Sequence, residues 1–506
     1  MIKKTLVLSG INLSGKILGL LKVIILASIY GAGTTYDAFI VAYTLPTLLP
    51  QILTTIITTI FIPQFHKKDR SSKESWQGLN VLFTFVFSLS LLASVFLYVY
   101  SGQIVSLITP GISEITYEKA VTLFKVMSIT TFVIGVSSYF IALSNAKEKF
   151  YLASIDGLII NSLVIIYCFI YNSDSSIATI SILIVSGFLI HLLILLYANR
   201  KVLLDNIRFN FNYRHDDFKN PMSKSVPIVV GYIGALSTGI VDQWFSSYED
   251  SGSISVLSYA SMLYLLPMEV FGKAVMQTYY TRFSTLADET EKLAKSYTEG
   301  LRLILFIMVP ISLFLLFANT NLIAVIFERG SFNEKATELT SYVLSALALG
   351  LIFRIFTYFN YRLLHSAGRS WSAISIGLLG VIINILFNYI LAPSFGLIGI
   401  AAATTISLFS SSLISYLLIR KEINIKITSF IDLNFLKISF ASMCSIGLYL
   451  YLTSIFSDNL CSNFNNCYLA TNVLTLTLIP ILFILFSYAI KVNEIRDILK
   501  YLSNRK

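Results

Sequence analysis

Two lysines lie inside the first long apolar run of the chain, where a charge is costly. Lys16 and Lys22 both fall within residues 5–30. A charged side chain at the centre of a bilayer costs about 2.5–3.5 kcal/mol on insertion scales, so it usually faces a cavity or a partner. At 1.5 Å per residue, Lys16 lies roughly 16 Å deep, where it either lines a cavity or forms a buried ion pair. Lys22 is rotated by about 120° and shares that cavity only if the helix bends at Gly19.

Two opposite charges four residues apart form a second candidate site. Glu269 and Lys273 share a helix face with Met262 if the helix is regular. They either contact a bound substrate or neutralise each other as an i, i+4 pair. Asp37 begins another apolar run and is either a helix N-cap or a gate residue. Arg354 is close enough to a predicted helix end to reach the membrane surface by snorkelling.

Oxygen-bearing side chains from three predicted helices lie at a similar predicted depth in the membrane. Asp242, Asn384, Asn388 and Thr404 lie roughly 20–26 Å above the inner surface by the helical rise. Hard oxygen ligands from several helices are suited to Na⁺. The same side chains could instead form a polar network that joins the helices.

Composition shows what must position these residues. Apolar residues make up 56% of the 506, charged residues only 13%, and the mean hydropathy is +0.76. Such a chain cannot hide its apolar side chains in a water-soluble core and needs lipid as solvent. The net charge of +10 is spread over many short loops, which excludes the basic patch of a nucleic-acid-binding protein. No nucleotide-binding loop, His/Cys metal spacing or nucleophile elbow indicates an enzyme.

The apolar runs predict an all-α, polytopic membrane protein with about 14 transmembrane helices, because each run is long enough to cross roughly 30 Å of hydrocarbon. The predicted spans are 5–30, 37–62, 79–100, 119–144, 152–171, 177–198, 225–247, 253–281, 301–318, 336–361, 371–392, 397–419, 434–456 and 468–490. Most of the 37 lysines and arginines then fall on alternate loops. Because positive charge accumulates on the cytoplasmic side, both termini are predicted to be cytoplasmic, in a bacterial plasma (inner) membrane. Cys461 and Cys467 share a short outer loop and either form a disulfide or stay free thiols.

Weak internal matches predict a duplicated architecture. Tyr43–Pro46 recurs as Tyr264–Pro267, and the segment that starts at Lys149 recurs at Arg369, with offsets of 221 and 220. Both copies begin inside, so they form a parallel repeat of two six-helix lobes, followed by two C-terminal helices. The predicted domains are an N-lobe at 1–199, a basic cytoplasmic linker at 200–224, a C-lobe at 225–420, and helices 13 and 14 with a cytoplasmic tail at 421–506.

Several short motifs carry a family resemblance. The run Gly15–Gly19, then Tyr30–Gly33, Asp37–Ala42, Leu45–Pro46 and Phe61–Pro63, is similar to the opening of the MurJ (MviN-like) lipid II flippases of the MOP (multidrug/oligosaccharidyl-lipid/polysaccharide) exporter superfamily. The segments 259–267 and 327–332 also fit. The resemblance implies two lobes in a V that carry a polyprenyl-pyrophosphate-linked glycan from the inner to the outer leaflet by alternating access. It implies a lipid-linked glycan and membrane lipids as partners, with cell-wall synthesis proteins as possible further ones.

The chain also departs from that family. Arginines are usual in the first, second and eighth helices of MurJ proteins, and here those positions hold Lys16, Lys22, Pro50 and Met262. Lysine supplies charge without the bidentate fork that suits pyrophosphate. Some MurJ-like proteins have a sodium site with a carboxylate where Asn388 stands, so Na⁺ or the membrane potential is a possible energy source, with no other cofactor expected.

Three function classes follow from these observations: a glycolipid flippase, a MATE-type antiporter, and a non-transporting scaffold within a cell-wall complex. The scaffold fits the topology but leaves Lys16 and Lys273 without a purpose. A lipid II flippase binds its substrate through Lys16, Lys22, Asp37, Glu269 and Lys273. A flippase for an O-antigen, capsule or teichoic-type lipid-linked oligosaccharide would use the same residues. A MATE-type drug antiporter shares the two-lobe fold, but it is expected to have twelve spans and acidic residues that bind cations.

Overall fold

The protein is built from helices throughout the part that the structure describes. The structure is a computed structural model and describes residues 2–67, 73–286, 289–423, 432–460 and 465–496, among which no β-strand occurs. The α-helices in chain order are α1 (Ile2–Tyr30), α2 (Thr34–Lys67), α3 (Gln77–Val99), α4 (Ser101–Ile108), α5 (Glu114–Ala146), α6 (Tyr151–Ser154), α7 (Asp156–Tyr171), α8 (Ile177–Ala198), α9 (Arg200–Asp205), α10 (Asp216–Ser246), α11 (Ser253–Pro267), α12 (Lys273–Thr285), α13 (Thr290–Phe317), α14 (Asn319–Phe327), α15 (Glu334–Ser366), α16 (Ser370–Ile423), α17 (Leu433–Leu460) and α18 (Asn465–Ala489).

The all-α membrane fold is confirmed, with about fourteen spans. Twelve helical segments of the described residues are long and apolar enough to cross a membrane. One of these segments, within α16, corresponds to two predicted spans. Gly396 has non-helical angles (φ 54°, ψ −136°) and divides it into two helices. The predicted seventh span lies within α10. Cys461 and the side chain of Cys467 lie outside what the structure describes, so their pairing stays a prediction.

The chain packs as two compact units. The first contains residues 1–255 together with 329–332, and the second contains 256–328 together with 333–506. In the first unit α2, α3, α5 and α8 enclose an apolar core that includes Ile57, Phe61 and Tyr139. In the second unit α15 packs on α13 and α16, and α17 pairs with α18. The lobe boundaries drawn from the sequence repeat stay predictions.

The repeat is visible in the turns that end two long helices. After α5, Glu148 adopts φ 57° and the Lys149 amide donates to Ser144 O at 2.8 Å. After α15, 220 residues later, Gly368 adopts φ 73° and the Arg369 amide donates to Leu364 O at 2.8 Å. A left-handed residue with a six-to-one hydrogen bond is the Schellman helix ending. Both copies therefore end the same helix in the same way.

The helix beginnings repeat at the same offset. Ser113 caps α5 by accepting from the Thr116 amide at 3.3 Å, and Asn333 caps α15 by accepting from the Ala336 amide at 3.0 Å. Short polar side chains at this position satisfy amides that have no partner inside the helix. The parallel repeat thus includes both ends of a long helix in each half.

Helix α2 stays continuous through three prolines and is supported by α5. Pro50 has no amide hydrogen, so the carbonyl of Pro46 loses its helical partner. Thr131 Oγ1 of α5 donates to that carbonyl at 2.9 Å. Thr54 and Ser138 join the same two helices by a hydroxyl contact of 2.5 Å. These bonds replace what proline removes and fix α2 on its neighbour.

The two Schellman turns generate a stability prediction. A non-glycine residue in the left-handed region costs roughly 1–2 kcal/mol, so Glu148→Gly should raise the free energy of unfolding, by about 1 kcal/mol after the entropy of a new glycine. Gly368→Ala should lower it by a similar amount. The thermal unfolding midpoint of the purified protein measures both. Opposite signs are expected, and a lower midpoint for Glu148→Gly would contradict the shared turn.

Candidate substrate-binding and ion-binding residues

The lysines of α1 lie on different faces of an unbroken helix. α1 runs as one continuous α-helix from Ile2 to Tyr30, so Lys16 and Lys22 lie about 120° apart around it. Lys16 is exposed at the protein surface and Lys22 is half-buried. Among the described residues, no carboxylate lies within 4.0 Å of the Lys22 ammonium. The structure therefore does not bring the two lysines to one face.

A close contact with α7 sets the position of α1. Gly15 lies against Gly157, and Asn161 Nδ2 donates to Gly15 O at 3.2 Å. A Cβ at residue 15 would lie 3.9 Å from the backbone of Gly157, which is ordinary van der Waals contact. Because Gly15 faces α7, its neighbour Lys16 points about 100° away from that contact.

Asp37 is a helix cap, but of a helix other than its own. Its side chain is 4% exposed and accepts from the Gly252 amide (2.6 Å), the Ser255 amide (2.7 Å) and Ser255 Oγ (2.5 Å). These groups belong to the first turn of α11 and the residue before it. A carboxylate at a helix N-terminus gains from charge-assisted bonds and from the helix dipole. Asp37 thus holds the point where the chain passes from the first unit into α11.

The loop before α11 is acidic and partly enclosed. Glu249 and Asp250 follow α10 directly. Burial, and secondarily the charge of Asp250, raise the pKa of the Glu249 carboxyl. Gly252 adopts φ 97°, and a side chain there would meet the backbone at Ala32. Its small size lets the loop reach the cap that Asp37 provides.

Glu269 and Lys273 form an ion pair in the second unit. Lys273 Nζ lies 2.7 Å from Glu269 Oε2, and the two side chains are 59% and 39% exposed. The mutual neutralisation anticipated as one alternative is therefore present. Both charges remain open to one side, so the pair can also contact a ligand.

The prediction that Met262 shares a helix face with Glu269 and Lys273 is wrong. A π-helical turn, Met268–Gly272, separates α11 from α12. A π turn inserts one residue into the helical register, which rotates Met262 away from Lys273 by about 100°. Gly272 lies at this turn against Ile355 of α15, where a side chain would clash. Single π turns are frequent at functional sites.

Arg354 contacts an aromatic ring of the second unit. It is half-buried in α15, and its guanidinium lies 5.3 Å from the ring centre of Tyr264, which is 2% exposed. A guanidinium over an aromatic face is stabilised electrostatically, the more so when it is desolvated. Counting residues from the helix end did not reveal this contact, and snorkelling to the membrane surface stays a prediction.

The proposed sodium ligands are all buried, but they belong to both units. Asn384, Asn388 and Thr404 lie in the second unit, and Asn384 Nδ2 donates to Thr404 Oγ1 at 3.1 Å. Asp242 is 8% exposed in α10 of the first unit. Among the described residues, no cluster of three His, Cys, Asp or Glu side chains is suited to a metal. The four-residue sodium site stays a prediction.

An apolar cavity of about 870 Å³ lies within the second unit. α13 and α18 form most of its wall, with Pro310, Phe314, Pro480 and Phe483 among the lining residues. Phe306 and Phe483 contact each other there with ring centres 5.5 Å apart. A cavity of this chemistry fits a hydrocarbon chain and excludes a charged group.

Removing the Asp37 cap should destabilise the protein. Asp37→Ala deletes all three accepted bonds and should lower the free energy of unfolding by about 1–2 kcal/mol, the usual value of a capping side chain. Ser255→Ala is the matched control, since it removes one bond and leaves both amides with a partner. Thermal unfolding in detergent distinguishes them. Equal midpoints for the two variants would show that the cap contributes little.

Comparison with known proteins places the chain in a family. The family description "Lipid II flippase MurJ" matches residues 26–488. A probable lipid II flippase MurJ of Thermotoga maritima is 26% identical over 504 residues, which cover 99% of this chain and 98% of that protein. The Aquifex aeolicus protein of the same name is 26% identical over 415 residues, or 81% of each chain.

Solved structures agree in fold. A lipid II flippase MurJ in an inward closed conformation superposes with a TM-score of 0.81 at 23% identity, over 98% of this chain and 100% of that one. An inward-facing MATE-family multidrug transporter of the MOP superfamily gives 0.67 at 12% identity, over 82% of this chain and 98% of its own. At these identities the likeness shows the fold alone. Because the family match covers most of its length, this chain belongs to the MurJ lipid II flippase family.

Proposed function

We propose that this chain moves lipid II, a polyprenyl-pyrophosphate-linked glycan, from the inner to the outer leaflet by alternating access. The observation that carries the proposal is the family match over residues 26–488, joined to cations fixed inside apolar helices. We place the protein in the bacterial plasma membrane with both termini cytoplasmic, as the distribution of lysine and arginine requires. Cell-wall synthesis proteins are the protein partners that this role implies.

Intramembrane lysines are proposed to hold the anionic head group. A pyrophosphate must enter a low-dielectric layer, and a nearby fixed cation offsets part of the cost of removing it from water. Lys16 is exposed at the surface of α1, and Lys273 is 59% exposed beside Glu269. Lys22 is half-buried on another face. We assign Lys16 and Lys273 direct contact with the head group and Lys22 a longer-range charge.

The apolar cavity of the second unit is proposed to receive the polyprenyl tail. Its lining, which includes Phe306, Pro310 and Pro480, is almost wholly apolar. The cavity lies between α13 and α18, the second of which belongs to the pair that follows the two repeated lobes. Burying isoprenoid surface gains about 25 cal/mol per Å² when the alternative is water. A tail that leaves the bilayer beside its charged head group would be kept from water there.

The energy source is proposed to be Na⁺ or the membrane potential. Buried Asn384 and Thr404 already contact each other, and buried Asp242 lies in α10. Oxygen donors of this kind are the ligands that Na⁺ requires. If the site binds Na⁺, Asp242→Ala should abolish the sodium dependence of transport. Ser237→Ala on the same helix is the control, and unchanged sodium dependence in the Asp242 variant would leave the cluster a structural network.

Neutralising the intramembrane lysines should impair transport. Lys16→Ala and Lys273→Ala should each reduce translocation of labelled lipid II in proteoliposomes by about tenfold to a hundredfold, as expected for the loss of one charge-assisted contact of about 1.5–3 kcal/mol. Lys22→Ala should have a smaller effect. Lys16→Arg should be tolerated, because the guanidinium keeps the charge and adds a fork. Exposed Lys295 provides the control, and Lys295→Ala should transport normally.

A charge swap separates substrate binding from ion pairing. Glu269→Lys combined with Lys273→Glu keeps an i, i+4 pair but moves the ammonium by one helical turn, about 5.4 Å. If the ion pair has only a structural role, the double variant should regain transport activity. Lys273 would then not belong to the substrate-binding site. Normal transport in all single lysine variants would contradict the whole proposed substrate-binding site. Transport of another lipid-linked oligosaccharide in place of lipid II would leave the site intact and change the substrate.

A further inference from the structure

An extended segment after α9 lies along the first half of α3. Asn80 of α3 forms two hydrogen bonds with the start of this segment. Its Nδ2 donates to Asn206 O at 3.0 Å, and its Oδ1 accepts from the Arg208 amide at 3.2 Å. One turn later, Thr84 Oγ1 accepts from the Asn210 amide at 2.8 Å. Both α3 side chains are buried. Residues 206–213, called here the linker segment, are thus fixed to α3 by its side chains.

These contacts place the linker segment along roughly the first 10 Å of α3, at the end that the charge distribution assigns to the cytoplasmic side. α3 has 23 residues, about 33 Å of helix, which is only slightly more than the roughly 30 Å hydrocarbon layer. Thr84 is seven residues from the start of α3, so Asn210 lies about 10 Å along it. Non-helical backbone at such a level must find hydrogen bonds within the protein. Asn80 and Thr84 provide them.

The linker segment presents a row of aromatic side chains. Phe209, Phe211 and Tyr213 occupy every second position of the segment and are 56%, 67% and 41% exposed. Phe209 also packs on Phe83 and Phe87 of α3, with ring centres 5.5 and 5.2 Å apart, which orients the row. Exposed phenyl rings are unfavourable in water, whereas aromatic side chains are enriched where a bilayer meets water.

Basic side chains surround the aromatic row. Arg208 and Arg214 lie within or directly after the segment, and Arg200, Lys201 and Lys219 flank it, all exposed. Arg208 donates to Ile207 O at 2.8 Å, and the guanidinium of Arg200 lies 4.3 Å from the ring centre of Tyr197. The acidic residues nearby are Asp205, which ends α9, and Asp216 and Asp217, which lie in the first turn of α10 and favour its N-terminus.

We infer that the linker segment is a binding surface for anionic phospholipid head groups, with Phe209 and Phe211 in the acyl boundary and Arg208 and Arg214 on the phosphates. A lipid surface is the partner because aromatic and basic side chains occur together at the level of the bilayer boundary. Each lysine or arginine near an anionic surface adds to the attraction. The inference does not depend on which glycan the protein carries.

Tryptophan quenching tests both parts of the inference in the full-length protein. Phe211→Trp is reconstituted in nanodiscs of phosphatidylcholine and phosphatidylglycerol, with bromine near the acyl carbonyl of either lipid and at equal total bromine. The extra fluorescence of the Phe211→Trp protein, relative to the wild-type protein, should be quenched whichever of the two lipids carries the bromine. Quenching should be stronger, by about twofold, when phosphatidylglycerol carries the bromine, because the basic side chains concentrate that lipid.

Two further variants make the result decisive. Adding Arg208→Gln and Arg214→Gln should equalise quenching by the two lipids while the protein stays folded, since both side chains are exposed. Phe169→Trp, 72% exposed on α7, should show no preference. Absence of quenching at Phe211→Trp would mean that the segment lies in water or against a protein. Equal quenching by both lipids at Phe211→Trp would overturn the anionic site.

Discussion

The constraint on which this structure depends is that hydrocarbon offers no hydrogen bond to a polypeptide. Every interruption of a helix within the bilayer must therefore be satisfied by another part of the protein. Pro50 frees the carbonyl of Pro46, and Thr131 of α5 takes it. Outside the predicted spans, the linker segment likewise finds partners in Asn80 and Thr84. Polar residues in these apolar helices thus have definite backbone partners.

The same constraint acts more strongly on charge, and the protein meets it in different ways. Arg354 lies over the ring of Tyr264, which stabilises the guanidinium inside the second unit. Lys273 pairs with Glu269 but stays largely exposed, so its charge is available to a ligand at little extra cost. Lys16 is exposed, in contrast to half-buried Lys22. These exposed cations are the residues for which contact with an anionic head group is proposed.

Sequence alone could predict what repeats along the chain, and not what depends on distant contacts. Apolar length predicts the spans, and the matches near Lys149 and Arg369 predict an offset at which two Schellman turns also occur. By contrast, Asp37 caps a helix that begins more than 200 residues later, which no local pattern reveals. The π turn at Met268–Gly272 changes the face of α11 without any marker beyond nearby Pro267 and Gly272. Arg354 needed its partner Tyr264 to be understood.

The two halves are alike where helices end and differ where the candidate site lies. Ser113 and Asn333 cap equivalent helices, and Glu148 and Gly368 end them in the same conformation. The matched motifs that end at Pro46 and Pro267 continue differently: α2 stays α-helical through a second proline, whereas α11 passes into a π turn that carries Glu269. The π turn therefore gives Glu269 and Lys273 a local setting that α2 does not repeat in the first unit.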